Sequence, residues 1–310
     1  MQISGIRLDN SKVQIDAYYL SINREYGVPS DSAEVVAIYN DKIGDLKGIY
    51  ITDNNRCIFS GIVDVQRLIC SDNKNYISIE ARSMAGILLD NEAQPSQYNN
   101  ADLLTILDRH IKDCGVAEVC HNNVVLSGNF DVTKGMSQWQ VLNNFCQSTG
   151  LGTPSVSADN KIYFNLDSTI SFGKGNIEYY YISLAKKRCN VVSDVYIKCK
   201  GSLSYDRRIK NNFADKMGIR AERYLDISQD SQQSIDVANQ IINMSNKNYC
   251  SIEVKCDKFV DAIPNQRADL CDKLIGNFKN LVVNSVRYTY NNGKEVTEIE
   301  LKGDVTDVDN

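Results

Sequence analysis

At 310 residues the chain is longer than one typical core supports, so two or three domains are expected. Its 43% hydrophobic and 24% charged residues are those of a water-soluble globular protein, and no stretch approaches the roughly 20 apolar residues a membrane span needs. The net charge of −5 arises from interspersed Lys/Arg and Asp/Glu without a basic block, which argues against specific nucleic-acid binding.

The N-terminal MQISGIRLDN lacks the basic start and apolar core of a secretory signal, so cytoplasmic synthesis is expected. From 12 to 93 the pattern is mostly β. The segments KVQIDAYYLSI, AEVVAIYN, KGIYITD, CIFSGIVDVQRLIC and NYISIEARS are rich in Val, Ile and Tyr and are separated by Asn, Asp, Gly and Lys turns. In the last of them Ile77, Ile79 and Ala81 share one face and Ser78, Glu80 and Arg82 the other, which predicts one buried side and one polar or partner-facing side.

The period then changes. Leu103, Leu104, Ile106, Leu107, His110, Ile111 and Cys114 recur at helical spacing, with Asn100 or Asp102 to cap and Gly115 to stop. A second helix is predicted from Ser137, with Trp139, Leu142, Phe145 and Cys146 as its apolar face and Gly150 closing it. Asp159 and Asn160 mark a hairpin turn, followed by alternating Ile162, Phe164 and Leu166. Residues 206–230 are charged and without clear period, which predicts a long exposed loop or arm. A helix follows over 231–246, its stripe formed by Ile235, Ala238, Ile241 and Ile242, and the chain ends in strands, the last two flanking Asn292-Gly293.

Motifs for catalysis are missing from the sequence: there is no GxSxG elbow, phosphate loop or HExxH, and the glycines of FGKGNIE lack dinucleotide spacing. The ten cysteines include no CxxC pair and read as small hydrophobes, Cys199 and Cys256 falling on the apolar phase of strands. His110, Cys114, Cys120 and His121 lie within twelve positions; a packed histidine and thiol on a helix stripe account for the first two better than zinc does. Seventeen tyrosines, with EYYYISL at 178 to 184, supply surfaces of the kind found at protein interfaces, or else reflect a coding bias toward Tyr, Asn, Ile and Lys. The basic clusters KKR at 186 to 188 and DRRIK at 206 to 210 read as solvated or interface faces.

IFSGIVDV at 58 to 65 followed by EARSMAGILLDNEAQPSQY at 80 to 98 resembles the baseplate hub, or tail-tube initiator, proteins of contractile phage tails and phage-tail-like bacteriocins, the late control protein D group. The resemblance is carried by Phe59, Gly61, Val63 and Asp64, the Arg82-Ser83 pair, then Asp90, Asn91, Glu92, Ala93, Pro95 and Tyr98, with support from Pro29, Asp31 and Ser32 and from SQWQVLNNFC at 137 to 146. It implies an α+β, mainly β fold of two tube-protein-like β-barrel or sandwich domains with a mainly helical insertion between them. The expected division is 1–95 for the first β domain, 96–174 for the helical insertion with a β-hairpin, and 175–310 for the second β domain with its arm and helix. It further implies a homotrimer that joins a central spike protein to the tail tube among other baseplate proteins, without cofactor or catalysis, extracellular once the particle is released. On this reading strand 76–82 supplies a ring wall, AGILL packs beneath it, and Asp90, Asn91 and Glu92 turn the chain out toward the helical section or a neighbouring subunit; the plainer reading is an Asp/Asn turn leaving a core strand. The competing functional readings are a tail-associated cell-wall hydrolase and a zinc-stabilised binding module.

Overall fold

The computed structural model describes residues 1–71, 74–116, 123–164, 166, 168–198, 202–226 and 231–303, with the backbone alone for 231–234. The chain is mainly β, 50% strand against 17% helix. It divides into two compact units, the first comprising Met1–Ser168, Cys256–Gln266 and Val283–Ile299, the second Thr169–Lys255, Arg267–Val282 and Glu300–Asn310.

In the first unit the strands are β1 (Gln2–Arg7), β2 (Lys12–Gln14), β3 (Ala17–Glu25), β4 (Ser32–Ile38), β5 (Leu46–Asp53), β6 (Arg56–Ser71) and β7 (Lys74–Ser83). They hydrogen-bond in the order β3-β4-β7-β6-β5-β1-β2, all antiparallel. Strict alternation builds the core. Leu20 and Ile22 of β3, Val35 and Ala37 of β4 and Ile77, Ile79 and Ala81 of β7 form one buried cluster with Ile49, Ile51, Ile58 and Phe59. Burial of each of the larger side chains is worth about 1.5–3 kcal/mol. The predicted inward face of β7 is thus observed. On its outward face Ser78 is also buried, whereas Glu80 and Arg82 reach solvent.

After β7 come α1 (Gly86–Asp90), β8 (Ser96–Asn99), α2 (Leu103–His110), β9 (Asn129–Val132), α3 (Gln138–Thr149) and the hairpin β10 (Ser155–Val156) and β11 (Ile162–Tyr163). Asp102 caps α2 by accepting from the Thr105 N–H, and a short tight turn at Lys112–Cys114 leads to Gly115, whose φ of 72° ends the run. Ser137 and Gln140 form a reciprocal capping box on α3, and Gly150 closes it at φ 76°, as the sequence predicts. Leu103, Ile106 and Leu107 of α2 meet Trp139, Val141, Leu142, Phe145 and Cys146 of α3 in a second buried cluster.

The second unit begins with β12 (Thr169–Phe172) and β13 (Tyr181–Lys186), then β14 (Asp194–Lys198), β15 (Arg207–Lys210), α4 (Asn212–Lys216), β16 (Glu222–Asp226), α5 (Ser231–Lys247), β17 (Cys250–Cys256) and β18 (Arg267–Asp272). The last strands, β19 (Gly276–Asn291) and β20 (Lys294–Gly303), contribute residues to both units and are joined by Asn292-Gly293, with φ of 48° and 86°. These positive values are what a two-residue hairpin demands. Within the first unit, Ser285–Asn291 of β19 pair with β3. Within the second, β13 pairs with β17 and β18 with the first part of β19.

Residues 206–230 are not the unstructured arm expected. β15 and β16 flank β14 in a three-stranded sheet, β15 antiparallel and β16 parallel, and α4 lies between them in sequence; 227–230 fall outside the described residues. Ile209 and Leu225 pack with Val195 and Ile197 against Ala238 and Ile242 of α5, a small core that holds this segment down. Cys256 is buried as predicted; Cys199 is outside the described residues.

Candidate functional site

The first unit brings three of the nine residues singled out in the sequence, Asp64, Arg82 and Asp90, together at one guanidinium. β6 and β7 approach so closely that a Cβ on Gly61 would lie 2.0 Å from the Arg82 carbonyl oxygen, so only glycine fits. Phe59, on the inward phase of the same strand, is fully buried. The register between the strands slips between Val63 and Val65, and this bulge leaves Asp64 as an extra residue turned toward the Arg82 side chain. Arg82 Nε donates to Asp64 Oδ2 at 2.6 Å and Nη2 to Oδ1 at 3.0 Å; its other edge donates to Asp90, Nη1 to Oδ1 at 3.0 Å and Nη2 to Oδ2 at 2.8 Å. One planar fork is therefore doubly engaged by two carboxylates. Asp90 is held below the usual carboxylate range by these bonds, and the Arg82 guanidinium is pushed up by both acids.

Past Asp90 the chain is strapped to α3. The Gln138 N–H donates to the Asn91 carbonyl at 3.0 Å, the Ala93 N–H to the Met136 carbonyl at 2.7 Å, and the Gly135 N–H to Glu92 Oε1 at 2.8 Å. The polar run that ends the apolar segment is thus a fastening between β7 and the α3 entry. The Asp90 carboxylate itself folds back onto Arg82. AGILL also differs from expectation: Ala85 and Leu88 join the cluster of α2 and α3, not the core under β7, because α1 turns its apolar side that way.

Pro95 and Tyr98 lie apart from the Arg82 fork. Pro95 precedes β8, which pairs with β9, and Tyr98 is buried with its ring beneath the Arg109 guanidinium at 5.4 Å. The Tyr98 hydroxyl is 2.9 Å from His110 Nε2, and His110 Nδ1 is 2.8 Å from Gln138 Oε1. A neutral ring with the proton on Nδ1 satisfies both contacts, donating to Gln138 and accepting from Tyr98. His110 and Cys114 are thus packed in the helix interface; Cys120 and His121 lie outside the described residues.

Burial lowers the His110 pKa from its ordinary value, with Arg109 adding to the effect. The unfolded chain takes up a proton near 6.5 that the folded one refuses, so this contribution to stability is complete above that pH and is lost as pH falls through the lowered folded value. The expected result is a steeper loss of stability from pH 7.5 to 5.5 in the parent than in His110→Gln, read by urea denaturation at both pH values.

Sequence reasoning missed a second charged node. Arg24 continues the inward phase of Leu20 and Ile22 and is buried. Its Nη2 donates to the Ile58 carbonyl at 2.6 Å, its Nε lies 3.2 Å from Asp31, and its Nη1 lies 3.4 Å from Asp261, which also pairs with Arg56. Burial pushes Asp31 up to about 6, against the pull of Arg24. Asp31 also accepts at its carbonyl from the Ser83 N–H and donates its own N–H to Ser83 Oγ, which gives the Arg82-Ser83 pair two jobs, one outward and one inward. The available signal was an arginine on the inward phase of a strand; Asp261, 237 positions away, left none. Asp31 is covered by Arg24 and so lacks the access a general acid needs.

Because the Arg82 fork is partly solvated, it contributes less than a buried pair. Arg82→Lys keeps the charge but loses the planar double engagement, and the expected cost is about 1 kcal/mol in a thermal or urea melt.

No family model matches the chain, and no curated protein matches it by sequence. Solved structures do. A tail protein from Neisseria meningitidis MC58 superposes with a TM-score of 0.76 at 17% identity, over 98% of this chain and 96% of its own. The 43 kDa tail protein of prophage MuSo2 from Shewanella oneidensis gives 0.78 at 14% identity, over 97% of each chain. The c3393 protein of E. coli, a type VI secretion component with structural similarity to the T4 bacteriophage tail proteins gp27 and gp5, gives 0.56 at 7% identity over 94% of this chain and 74% of its own. The chain therefore has the fold of these tail proteins along nearly its whole length. No helix among the described residues is long and apolar enough to cross a membrane.

Proposed function

We propose that the chain is the structural hub of a contractile-tail baseplate, from a phage or a tail-like bacteriocin. Three copies form a ring that presents six similar β modules, joins a threefold central spike to the sixfold tail tube and initiates tube assembly. The observation that carries this reading is the likeness to two tail proteins over at least 96% of both chains in each comparison. The division into two compact units, both containing sheet, is in keeping with it. On this reading 1–95 and 175–310 are the two tube-like modules and 96–174 is the insertion between them. The partners are a second and third copy, the spike, the tube and other baseplate proteins, and the chain leaves the cell within the released particle. Its role is architectural, and a ring leaves fewer bare strand edges than a free chain does.

The direct test is the mass of the purified chain by light scattering together with its position in images of the native particle. A trimer on the tail axis is expected; a chain placed off that axis overturns the reading. For the corner at 90 to 92, Asp90→Ala and Glu92→Ala separate two roles. An interface role reduces incorporation into tails beyond what any loss of thermal stability explains, whereas a purely internal fastening changes both together.

A further inference from the structure

KKR and DRRIK belong to one basic stretch: residues 186–223 hold eleven Lys and Arg against four Asp and Glu, in a chain of net charge −5. The fold gathers part of this charge at the end of α4. Lys186 ends β13, and a tight turn at Arg188–Asn190 follows. Arg188 Nη2 donates to the Met217 carbonyl, which holds that guanidinium where α4 stops, with Lys216 the last residue of the helix and Arg220 just past it. A carbonyl partner leaves the Arg188 charge uncompensated. Lys216 and Arg220 are exposed, and among the described residues neither has a carboxylate partner. The acids of this stretch are partly committed: Asp194 accepts from Arg208 Nε at 2.6 Å and Glu222 from the Tyr224 hydroxyl at 3.1 Å, while Asp215 lies within α4 itself. Like charges gathered on one face repel, and an anion relieves that cost.

The same unit carries an anion close by. Glu300 of β20 accepts from the Ser251 hydroxyl at 2.6 Å and lies 3.6 Å from Lys187 Nζ. The Lys187 N–H donates to the Tyr249 carbonyl at 2.7 Å, and the Tyr249 ring packs edge-on against Phe213 of α4 at 5.1 Å. Lys187 and Tyr249 thus connect the end of β20 to α4. β20 stops at Gly303, three residues or about 10 Å beyond Glu300. Residues 304–310, DVTDVDN, lie outside the described residues and hold three aspartates and no Lys or Arg. Seven extended residues reach roughly 23 Å, and so short a tether keeps their carboxylates near the basic face at about millimolar effective concentration.

We infer that residues 304–310 dock on the basic face at the end of α4 of their own chain, setting Asp304, Asp307 and Asp309 against Arg188, Lys216 and Arg220. The contact is autoinhibitory in kind: an acidic polypeptide reaches this face only by displacing the segment. It involves no contact between copies, so its failure leaves the hub reading intact.

A zero-length carbodiimide, which joins carboxylates to lysine amines, tests the docking on the full-length chain. Links from 304–310 to Lys187 and Lys216 are expected at least about fivefold above those to Lys174 and Lys273, two exposed lysines of the same unit. Arg188→Glu with Arg220→Glu leaves every lysine in place and is expected to lower the links to Lys187 and Lys216 at least about fivefold; salt at about 0.5 M does the same to the parent, with no substitution. In a mixture of isotope-labelled and unlabelled chains the links stay within one isotope. The triple variant Asp304→Asn, Asp307→Asn, Asp309→Asn alters no described residue. It is expected to bind a fluorescent poly-glutamate peptide at least about threefold more tightly than Asp45→Asn, Asp113→Asn, Asp131→Asn, which removes the same charge from exposed positions of the first unit. Equal links to all four lysines, yields indifferent to both the arginine reversal and salt, mixed-isotope links in statistical proportion, or equal poly-glutamate affinity of the two triple variants overturns the docking.

Discussion

Gly61→Ala is expected to destabilise the first unit by about 3 kcal/mol or more, one of the larger losses a single methyl group can cause. The added Cβ would meet the Arg82 carbonyl oxygen at 2.0 Å and the Ser83 Cα at 2.9 Å. Both belong to the backbone of β7, which is hydrogen-bonded on its far side to β4 and cannot retreat without breaking that ladder. The strain also moves the Arg82 side chain off Asp64 and Asp90, so the fork is lost together with the close approach. Gly86→Ala supplies the contrast. Its Cβ would meet only the Ser30 hydroxyl at 3.3 Å and the Arg82 side chain at 3.4 Å, groups that yield. Thermal melts of the two variants beside the parent check the pair; comparable melting temperatures for both contradict the steric account.

Arg24→Met is expected to cost about 3–5 kcal/mol at pH 8, since it leaves the Asp31 carboxylate buried without its cation. The penalty should shrink at pH 5. The folded-state pKa of Asp31 is raised from 3.8 to about 6, so its contribution to stability is fully present below the unfolded value and is lost as pH rises through about 6. At pH 5 the carboxyl is largely neutral in the fold, and removing Arg24 then exposes no buried charge. Urea denaturation of parent and variant at both pH values reads the difference. A penalty that stays constant from pH 5 to pH 8 would show that Arg24 acts through its carbonyl contacts, chiefly Ile58, and not through Asp31.

The parts of the fold legible in the sequence were those set by neighbours along the chain. The alternation of Ile77, Ile79 and Ala81, the Ser137–Gln140 capping box with Gly150, and the Asn292-Gly293 turn each need only a short window, and each is found. Residues 206–230 were illegible because β15 and β16 each turn a single apolar residue, Ile209 or Leu225, to the small core, and such strands show no period. Their outward positions carry Arg208 and Tyr224, which stack with Tyr196 across the sheet. The parallel pairing of β14 with β16 is also non-local, and no turn announces it.

For the candidate site, the motif residues were identified without their geometry. Asp64, Arg82 and Asp90 converge because a bulge and a short helix bring them together, and neither device is written in residue type alone. Tyr98 belongs to a separate buried network whose other members, His110 and Gln138, come from α2 and α3. Arg24 joins residues from three separate stretches, at 31, 58 and 261–262, so sequence offered its phase but not its partners.

The first unit takes Cys256–Gln266 and Val283–Ile299 from the final fifth of the chain, including the β19 segment that pairs with β3 and the Asp261 that meets Arg24. Translation at roughly 5–20 residues per second therefore leaves β3 without that neighbour for many seconds after it has emerged from the ribosome. Closure of this sheet accordingly waits on the β19 segment: a nascent chain that stops short of it carries an unfinished sheet that quality control can recognise.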